Sequence, residues 1–400
     1  MAAPAVIGAL TGGAVAALSG GVEGGVMAAV AALPGGWPAV ATAFALPLAV
    51  LAAATVTRSL HPSTAELYIV TYHTPGAHVP LRQVPGRLLA AIATVGLGGS
   101  QGFESPSALI GSALGECCAR LRRFAPAPDE VRTLVVAGAG AGIAAIFSSP
   151  GVGTLYGLEV PFRRDLDAPR FAPAAIAAAV AFAVRTALIG AQPLVALTHR
   201  PPLDAALLGA IVLLAIACGL GARLFAAALT ALRALGKTHG PWARAATGAG
   251  VLAALAWCGH ALTGRWITFG PGYVAAAWTL GAAHAPAVLA AALVVRAAGT
   301  LASVYGGGGG GVFTSLACTG LLMSVCLERL LGHPPGGPLA LLGAATFLAS
   351  GYRLPLAGVL LVAEQSRDLG LTVAGFVAVA IGQTVMGDAS VSDAQRDRRA

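Results

Sequence analysis

The chain has 400 residues, of which 57% are hydrophobic and only 10% are charged. Soluble domains carry about 25% charged residues, so this composition excludes a water-soluble globular protein and predicts a polytopic membrane protein. The net charge of +8 comes almost entirely from arginine. Scattered arginines in such a chain are typical of cytoplasmic loops and the lipid interface, and they do not indicate nucleic-acid binding.

The apolar residues form a series of segments that predict membrane helices. Several reach the about 20 residues that a spanning helix needs, whereas others have only about 10–15 and predict helices that stop partway through the bilayer. The first segment has no basic residue before it, so we expect a membrane helix there rather than a cleaved signal peptide. In chain order the segments are residues 5–32, 39–56, 88–99, 106–119, 133–158, 172–198, 205–234, 248–263, 274–303, 311–331, 338–350, 354–363 and 370–386.

Glu104 is the only charged residue between Arg87 and Glu116. A carboxylate at membrane depth costs about 2.5–3.5 kcal/mol on insertion scales, so such residues usually face a polar pathway. The sequence around it, Gly-Phe-Glu-Ser-Pro at 102–106, is typical of a helix start, where free backbone N–H groups attract anions. We therefore expect Glu104 to act as a gate, and we count it as essentially the only acid within the membrane.

The chain contains an internal repeat. The pattern Pro-x-x-Gly-x-Leu-x-x-x-Glu at 150–159 recurs at 355–364, and the segment that follows Gly102 matches the segment that follows Gly311. Two matches with nearly the same offset predict two duplicated halves, about 1–198 and 205–386. The run of six glycines at 306–311 precedes the second of these helix starts, where backbone that leaves helical geometry would line a cavity.

Residues 1–386 are therefore expected to form a single transmembrane domain, with a short polar tail at 387–400 and no C-terminal regulatory domain. The six cysteines and eight histidines show no paired spacing. They indicate neither a metal site nor a cofactor, and no histidine is placed to support an enzyme's active site.

The motifs resemble those of the CLC family of chloride channels and proton-coupled chloride antiporters. The segment 102–106 is similar to that family's G-[KR]-E-G-P, 311–315 is similar to G-x-F-x-P, and 150–159 and 355–364 are similar to its two Pro-x-x-Gly segments. The resemblance covers about residues 60–385. It implies an all-α fold of broken and tilted helices in two inverted-topology halves, a homodimer, and one anion pathway per subunit in a bacterial inner membrane.

The resemblance also assigns residues. Glu104 matches the gating glutamate, and Phe313 is expected beside the anion, with ordinary packing as the alternative. Ser63 lies where the family places an anion-binding serine, but the flanking glycines are missing, so a helix N-cap is the alternative. The expected anion-binding residues are Gly102, Phe103, Ser105, Gly311, Val312, Phe313 and Ser63.

Two departures from the family pattern bear on mechanism. Tyr352 is the last tyrosine, so the family's inner tyrosine is absent and the inner anion site is expected to be more open. Val160 matches the proton acceptor of the coupled antiporters and cannot carry a proton, although Glu159, one position away, is an alternative. Glu159 and Glu364 have a second interpretation, as caps or pairing residues at helix ends.

The sequence therefore predicts transmembrane anion transport, most simply of chloride, that is gated by Glu104 and weakly coupled or uncoupled to protons. The first alternative is a proton-coupled antiporter for chloride or another halide. The second is a different inverted-repeat secondary transporter, which would usually carry several intramembrane acids. The expected partners are a small anion, the lipid bilayer and a second copy of the chain, without nucleic acid.

Overall fold

The computed structural model describes residues 2–57, 63–64, 66–121, 128–191, 195, 197–199 and 204–397. Its first half contains helices α1 (Ala2–Gly21), a π-helical turn (Val22–Met27), α2 (Ala28–Ala31), α3 (Trp37–Thr57), α4 (Leu67–His73), α5 (Val84–Gly96), α6 (Glu104–Leu121), α7 (Pro128–Phe147), α8 (Pro150–Glu159) and α9 (Phe171–Ile189). Its second half contains α10 (Ala205–Gly236), α11 (Pro241–Thr263), α12 (Tyr273–Gly281), α13 (Pro286–Tyr305), α14 (Phe313–Leu330), α15 (Pro338–Tyr352), α16 (Pro355–Ser366) and α17 (Leu369–Met386).

The predicted polytopic helical fold is confirmed. Within the described ranges, nine stretches are long and apolar enough to cross a membrane. They are Ala2–Ala31, Trp37–Thr57, Asp129–Phe147, Ala168–Ile189, Ala205–Gly236, Pro241–Thr263, Pro286–Tyr305, Phe313–Leu330 and Leu369–Met386.

Proline explains most of the differences between the predicted segments and the helices. The segment 133–158 is two helices, because the chain turns at Ser148 and Ser149 and α8 begins at Pro150. The segment 274–303 is likewise divided, with α13 beginning at Pro286. Proline at the first position of a helix has no N–H to lose there and fixes a helical φ, so it starts a new helix inside an apolar run.

The repeat in the sequence is also a repeat in packing. A Cβ atom on Gly111 of α6 would collide with the backbone of Gly138 in α7, and one on Gly320 of α14 would collide with Gly343 in α15. These four glycines lie at matching positions of the two halves. Each half therefore uses a glycine pair to bring two helix backbones into contact, as small residues do in membrane proteins.

The repeated helices α8 and α16 pack against each other. The glutamate at the end of each one contacts the N-terminus of the other, which requires the two helices to run in opposite directions. The corresponding elements of the two halves thus have inverted orientations.

Candidate functional site

Two helix starts, one from each half, meet at the centre of the molecule. Gly102 and Gly311 form a short antiparallel bridge in which each N–H donates to the other residue's carbonyl oxygen, at 2.9 and 2.8 Å. Helix α6 begins two residues after Gly102, and α14 begins two residues after Gly311. The bridge therefore fixes the N-termini of both helices, with their partial positive charges, beside one another.

The loops before these helices have the same backbone form. Gly98 has a φ of 89° and Gly307 a φ of 82°, at matching positions of the two halves. This left-handed conformation favours glycine, which explains one residue of the run at 306–311. The Gln101 side-chain amide then donates to Gly310 O at 2.9 Å and ties the two loops together.

The carboxylate of Glu104 lies at this meeting point and is 1% exposed. Its Oε1 accepts a hydrogen bond of 2.9 Å from the backbone N–H of Thr314, in the first turn of α14. Its Oε2 is buried without a hydrogen-bond partner. Glu104 thus begins one helix and places its carboxylate on the N-terminus of the other, the position that an anion would favour.

The glycines on both sides leave room for this carboxylate. A Cβ on Gly102 would lie 2.5 Å from Glu104 Oε1, and a Cβ on Gly311 would lie 2.8 Å from Glu104 Oε2. No other residue fits at either position without moving the carboxylate.

Six of the seven expected anion-binding residues are brought together around Glu104. Phe103, Ser105, Val312 and Phe313 are 1%, 6%, 2% and 2% exposed, and Gly102 and Gly311 form the bridge itself. Their contact with an anion remains a prediction.

Ser63 lies elsewhere, on the wall of a cavity of about 420 Å³ that is also lined by Gln101, Tyr352 and Val391. The neighbouring Thr64, rather than Ser63, points inward: it is 2% exposed, and its hydroxyl donates to Gly309 O at 2.7 Å. The Ser63 carbonyl oxygen accepts a hydrogen bond from Arg87. Ser63 therefore lies on the wall of this cavity, which Val312 also lines, and its contact with an anion remains a prediction.

Phe313 is the centre of an aromatic cluster. Its ring centroid lies 5.0 Å from that of Phe147 and 5.6 Å from those of Tyr156 and Tyr352, with edge-to-face or tilted geometry. Tyr156 lies inside the repeated Pro-x-x-Gly segment, but nothing in the sequence pattern assigned it to the site. The cluster forms an apolar wall next to the two helix starts.

Arg296 is a second residue that the motifs do not identify, because it lies on α13, outside all four motif segments. It is fully buried, at 0% exposed, and its guanidinium bonds to α14, to the loop before α6 and to the loop before α12. Nη1 donates to Ser100 Oγ and Thr268 O, both at 2.6 Å, and Nη2 donates to Gly270 O at 2.8 Å and Ser315 Oγ at 3.2 Å.

Among the described residues no carboxylate lies within 4.0 Å of Arg296, so its charge is balanced by the dipoles of the oxygen atoms that accept its hydrogen bonds. The sequence contained one indication of this residue, because Arg296 is the single arginine in the apolar run 274–303.

Val160, at the expected proton-acceptor position, is fully buried. Both oxygens of the neighbouring Glu159 are occupied, since they accept hydrogen bonds from Leu356 N–H at 3.0 Å and Ala357 N–H at 2.9 Å. Glu364 accepts from Gly151 N–H at 2.7 Å and Val152 N–H at 3.2 Å. The geometry favours the capping interpretation of both glutamates.

The residues after Met386 lie against the site. Val391 N–H donates to Gly351 O at 2.8 Å, and the Gln395 amide donates to Val160 O at 3.0 Å and Tyr352 O at 2.8 Å. Val391 and Gln395 are both 2% exposed. This segment, expected as a polar tail, closes one side of the cavity with an apolar side chain.

The expectation of a single intramembrane acid is wrong. Glu116 and Glu328 are 0% and 2% exposed, and Glu23 belongs to the first spanning stretch. Glu116 pairs with Arg120 at 2.8 Å, and Glu328 accepts from Gly336 N–H at 3.1 Å. Glu116 also bonds to His78 Nδ1 at 2.9 Å, so both Glu116 and Glu328 have polar partners that offset the cost of burying a charge. Within the described part of the chain, no cluster of three or more metal-binding side chains occurs.

Comparison with known proteins gives consistent results. The family model described as "Voltage gated chloride channel" matches residues 46–387. A "Chloride/fluoride channel protein" of Pseudomonas syringae pv. tomato is 29% identical over 342 residues, which is 82% of this chain and 72% of that protein. The "Voltage-gated ClC-type chloride channel ClcB" of Escherichia coli is 29% identical over 318 residues, or 75% of this chain and 72% of that protein.

Two solved structures are similar over nearly the whole chain. A slow cyanobacterial Cl⁻/H⁺ antiporter has a TM-score of 0.83 at 20% identity and covers 96% of this chain and 93% of its own. A CLC-type fluoride/proton antiporter has a TM-score of 0.81 at 19% identity and covers 99% of this chain and 97% of its own. At these identities the likeness concerns the fold, and it confirms the fold that the motifs implied.

Proposed function

The chain belongs to the voltage-gated chloride channel (CLC) family of anion transporters, and we propose that it carries chloride along a pathway gated by Glu104. The observation that carries this proposal is the Glu104 carboxylate, which accepts the Thr314 N–H where the two helix starts meet. An ionised Glu104 blocks the place that suits an anion. Protonation of the carboxyl, or competition by chloride, releases it.

In this proposal the pathway binds the anion through backbone dipoles and through one positive charge that does not touch it. The backbone N–H groups of the two helix starts and the hydroxyl of Ser105 face the anion, and Arg296 stands behind Ser100 and Ser315. Conduction needs binding that is weak enough for the ion to leave. The guanidinium of Arg296, which lies behind Ser100 and Ser315, binds the anion less tightly than a guanidinium in direct contact would, so the ion can leave.

We propose weak or absent coupling to protons. Val160 has no group that can carry a proton, and both oxygens of Glu159 are engaged as a helix cap. The alternative, a proton-coupled antiporter, is supported by the two antiporters of similar fold. Fluoride is a second candidate anion, because one relative is described as a chloride/fluoride channel protein.

We further propose a homodimer in a bacterial inner membrane. Large apolar side chains are exposed on several spanning helices, including Leu188, Leu224 and Phe376 at 61%, 73% and 55%. Such faces are expected to contact lipid or a second copy of the chain.

Flux through liposomes tests the proposal. Purified protein should release chloride down its gradient when a potassium ionophore removes the opposing voltage, and the same vesicles loaded with fluoride or nitrate measure selectivity. Vesicles without protein are the blank. Absence of flux for every halide would contradict the proposed function.

A further inference from the structure

The 420 Å³ cavity has an open end and a buried end. Among the residues that line it, the side chains of Glu66 and Arg233 are 29% and 28% exposed, whereas Val312 is 2% exposed. The cavity therefore opens to solvent near Glu66 and ends at Val312. Val312 lies two residues before Thr314, whose N–H binds Glu104. The buried end of the cavity is thus within one helical turn of the residue that holds the gate.

Two backbone donors lie at this buried end. Val312 directly precedes α14, and Phe313 is the first residue of that helix. Within the described part of the chain, neither N–H group donates a hydrogen bond, as expected for the first turn of a helix. The N–H of Thr314 differs, because Glu104 Oε1 accepts it. Val312 and Phe313 therefore have donors to offer to a ligand that Glu104 does not already occupy.

The hydroxyl of Tyr352 is a third donor beside them. Tyr352 is the last residue of α15, is 4% exposed and lines the same cavity. Its ring centroid lies 5.6 Å from that of Phe313. Among the described residues its hydroxyl has no hydrogen-bond partner, and its oxygen is not one of the atoms that the protein fully encloses. A phenol in a buried position usually has a partner, so this hydroxyl is open toward the cavity that its ring lines.

The backbone of Tyr352 is held in place by the segment after Met386. The Gln395 amide donates to Tyr352 O at 2.8 Å, and Val391 N–H donates to Gly351 O at 2.8 Å. These bonds engage the main chain and leave the phenol hydroxyl unused. The hydroxyl is therefore a donor with a fixed position, which lowers the cost of ordering it when a ligand binds.

The charge of the cavity favours an anion as that ligand. Arg87, Arg233 and Arg244 all line it. Arg233 is paired with Glu66 at 2.8 Å and with Asp393 at 2.7 Å. Across the described ranges, no carboxylate lies within 4.0 Å of Arg87 or Arg244. Unpaired positive charge on the wall of a cavity raises the local concentration of anions.

We propose that the Tyr352 hydroxyl is a ligand of the transported anion, at a position that the N–H groups of Val312 and Phe313 complete. This inference rests on the proposed function, since it adds a ligand to the same pathway. A phenol is a neutral donor, so it holds a halide without a full positive charge and allows the ion to leave. An anion that enters through the cavity meets Tyr352 before it reaches Glu104.

Calorimetric titration of the purified protein in detergent with chloride tests this ligand. Tyr352→Phe keeps the ring and removes only the hydroxyl. We expect the Kd for chloride to rise about tenfold, as for the loss of a hydrogen bond to a charged group. The half-saturating chloride concentration for flux in liposomes should rise with it. The melting temperature should not change, because this hydroxyl makes no bond to the described protein.

Tyr72→Phe is the matched control. It removes a hydroxyl that donates to Asp167 Oδ2 at 2.6 Å, and Tyr72 does not line the cavity. The control should lower the melting temperature and keep the Kd of the unmodified protein. The two substitutions therefore have opposite effects on binding and on stability.

Tyr352→3-fluorotyrosine gives a second test with the reverse sign. Fluorine on the ring makes the hydroxyl a stronger donor, so the Kd for chloride should fall below that of the unmodified protein. A structural role of the ring predicts no such gain.

Equal Kd values for folded Tyr352→Phe and the unmodified protein would overturn Tyr352 as a ligand and leave Glu104 as the gate. A higher Kd accompanied by a lower melting temperature, without a gain from 3-fluorotyrosine, would show that Tyr352 only packs against Phe313. Absence of both chloride binding and chloride flux in the unmodified protein would contradict the proposed function together with this ligand.

Discussion

Glu159 and Glu364 each cap the helix that carries the other. Glu159, the last residue of α8, accepts from the first turn of α16, and Glu364, near the end of α16, accepts from the first turn of α8. Each carboxylate also sits at the positive end of a helix dipole. The pair therefore joins the two halves through charge-assisted hydrogen bonds.

Removing either cap should cost stability rather than transport. Glu159→Gln or Glu364→Gln keeps the shape but loses the charge, and we expect a loss of about 1 kcal/mol, the usual value of a helix cap. The measurement is the melting temperature in detergent together with chloride flux. Asp388→Asn is the control, because its exposed pairing with Arg164 is worth about 0–1 kcal/mol. Normal stability with altered flux would show that Glu159 has a transport role instead.

Glu104→Gln should make chloride flux independent of pH. The amide has no titrating group and cannot be released by protonation, so flux at acid and at neutral pH should agree within about twofold. Glu116→Gln is the matched control: it neutralises a buried acid near the other end of the same helix and should keep the normal pH profile. A normal profile for Glu104→Gln would remove Glu104 from the gate.

Gly311→Ala should open the gate by displacement. The added methyl group would stand 2.8 Å from Glu104 Oε2 and 2.7 Å from Ser105 Oγ, so the carboxylate has to leave its position. We expect flux at neutral pH to rise toward the value of Glu104→Ala. Gly250→Ala, where an added Cβ meets nothing within 4 Å, should behave as the unmodified protein. Unchanged neutral-pH flux in Gly311→Ala would contradict the closed position assigned to Glu104.

Arg296→Gln should weaken anion binding. The substitution removes the buried positive charge that lies behind both helix starts, and we expect the Kd for bromide or chloride to rise about tenfold, measured by calorimetry in detergent. Stability should fall as well, because four acceptors lose their donor. Arg223→Gln, an exposed arginine on α10, is the control. An unchanged Kd in folded Arg296→Gln would show that Arg296 only holds the loops together.

A chloride gradient should drive little proton movement. In liposomes that follow internal pH, the ratio of protons to chloride should stay well below that of a stoichiometric exchanger, because Val160 cannot accept a proton and Glu159 is occupied as a cap. Stoichiometric proton pumping would establish the antiporter alternative and would require another acceptor.

The sequence predicted best those parts of the site that depend on residues close together in the chain. The helix start at Glu104, its counterpart at Phe313 and the repeated Pro-x-x-Gly segments follow from neighbouring residues, and they lie together as the repeat implied. Arg296 and Tyr156 could not be placed, because their roles depend on contacts of α13 with distant loops and of α8 with the start of α14. The segment after Met386 was expected to be a tail because its residues are mostly polar. The hydrogen bonds that hold it against the site go to backbone atoms of distant residues, which the linear sequence does not show.

The bridge between Gly102 and Gly311 means that neither half of the chain forms the site alone. A polypeptide of half the length would carry one glycine, one helix start and one side of the cavity. It could not form the bridge that holds the two helix starts together. Two such polypeptides, related by a two-fold axis as the two halves are here, would complete it.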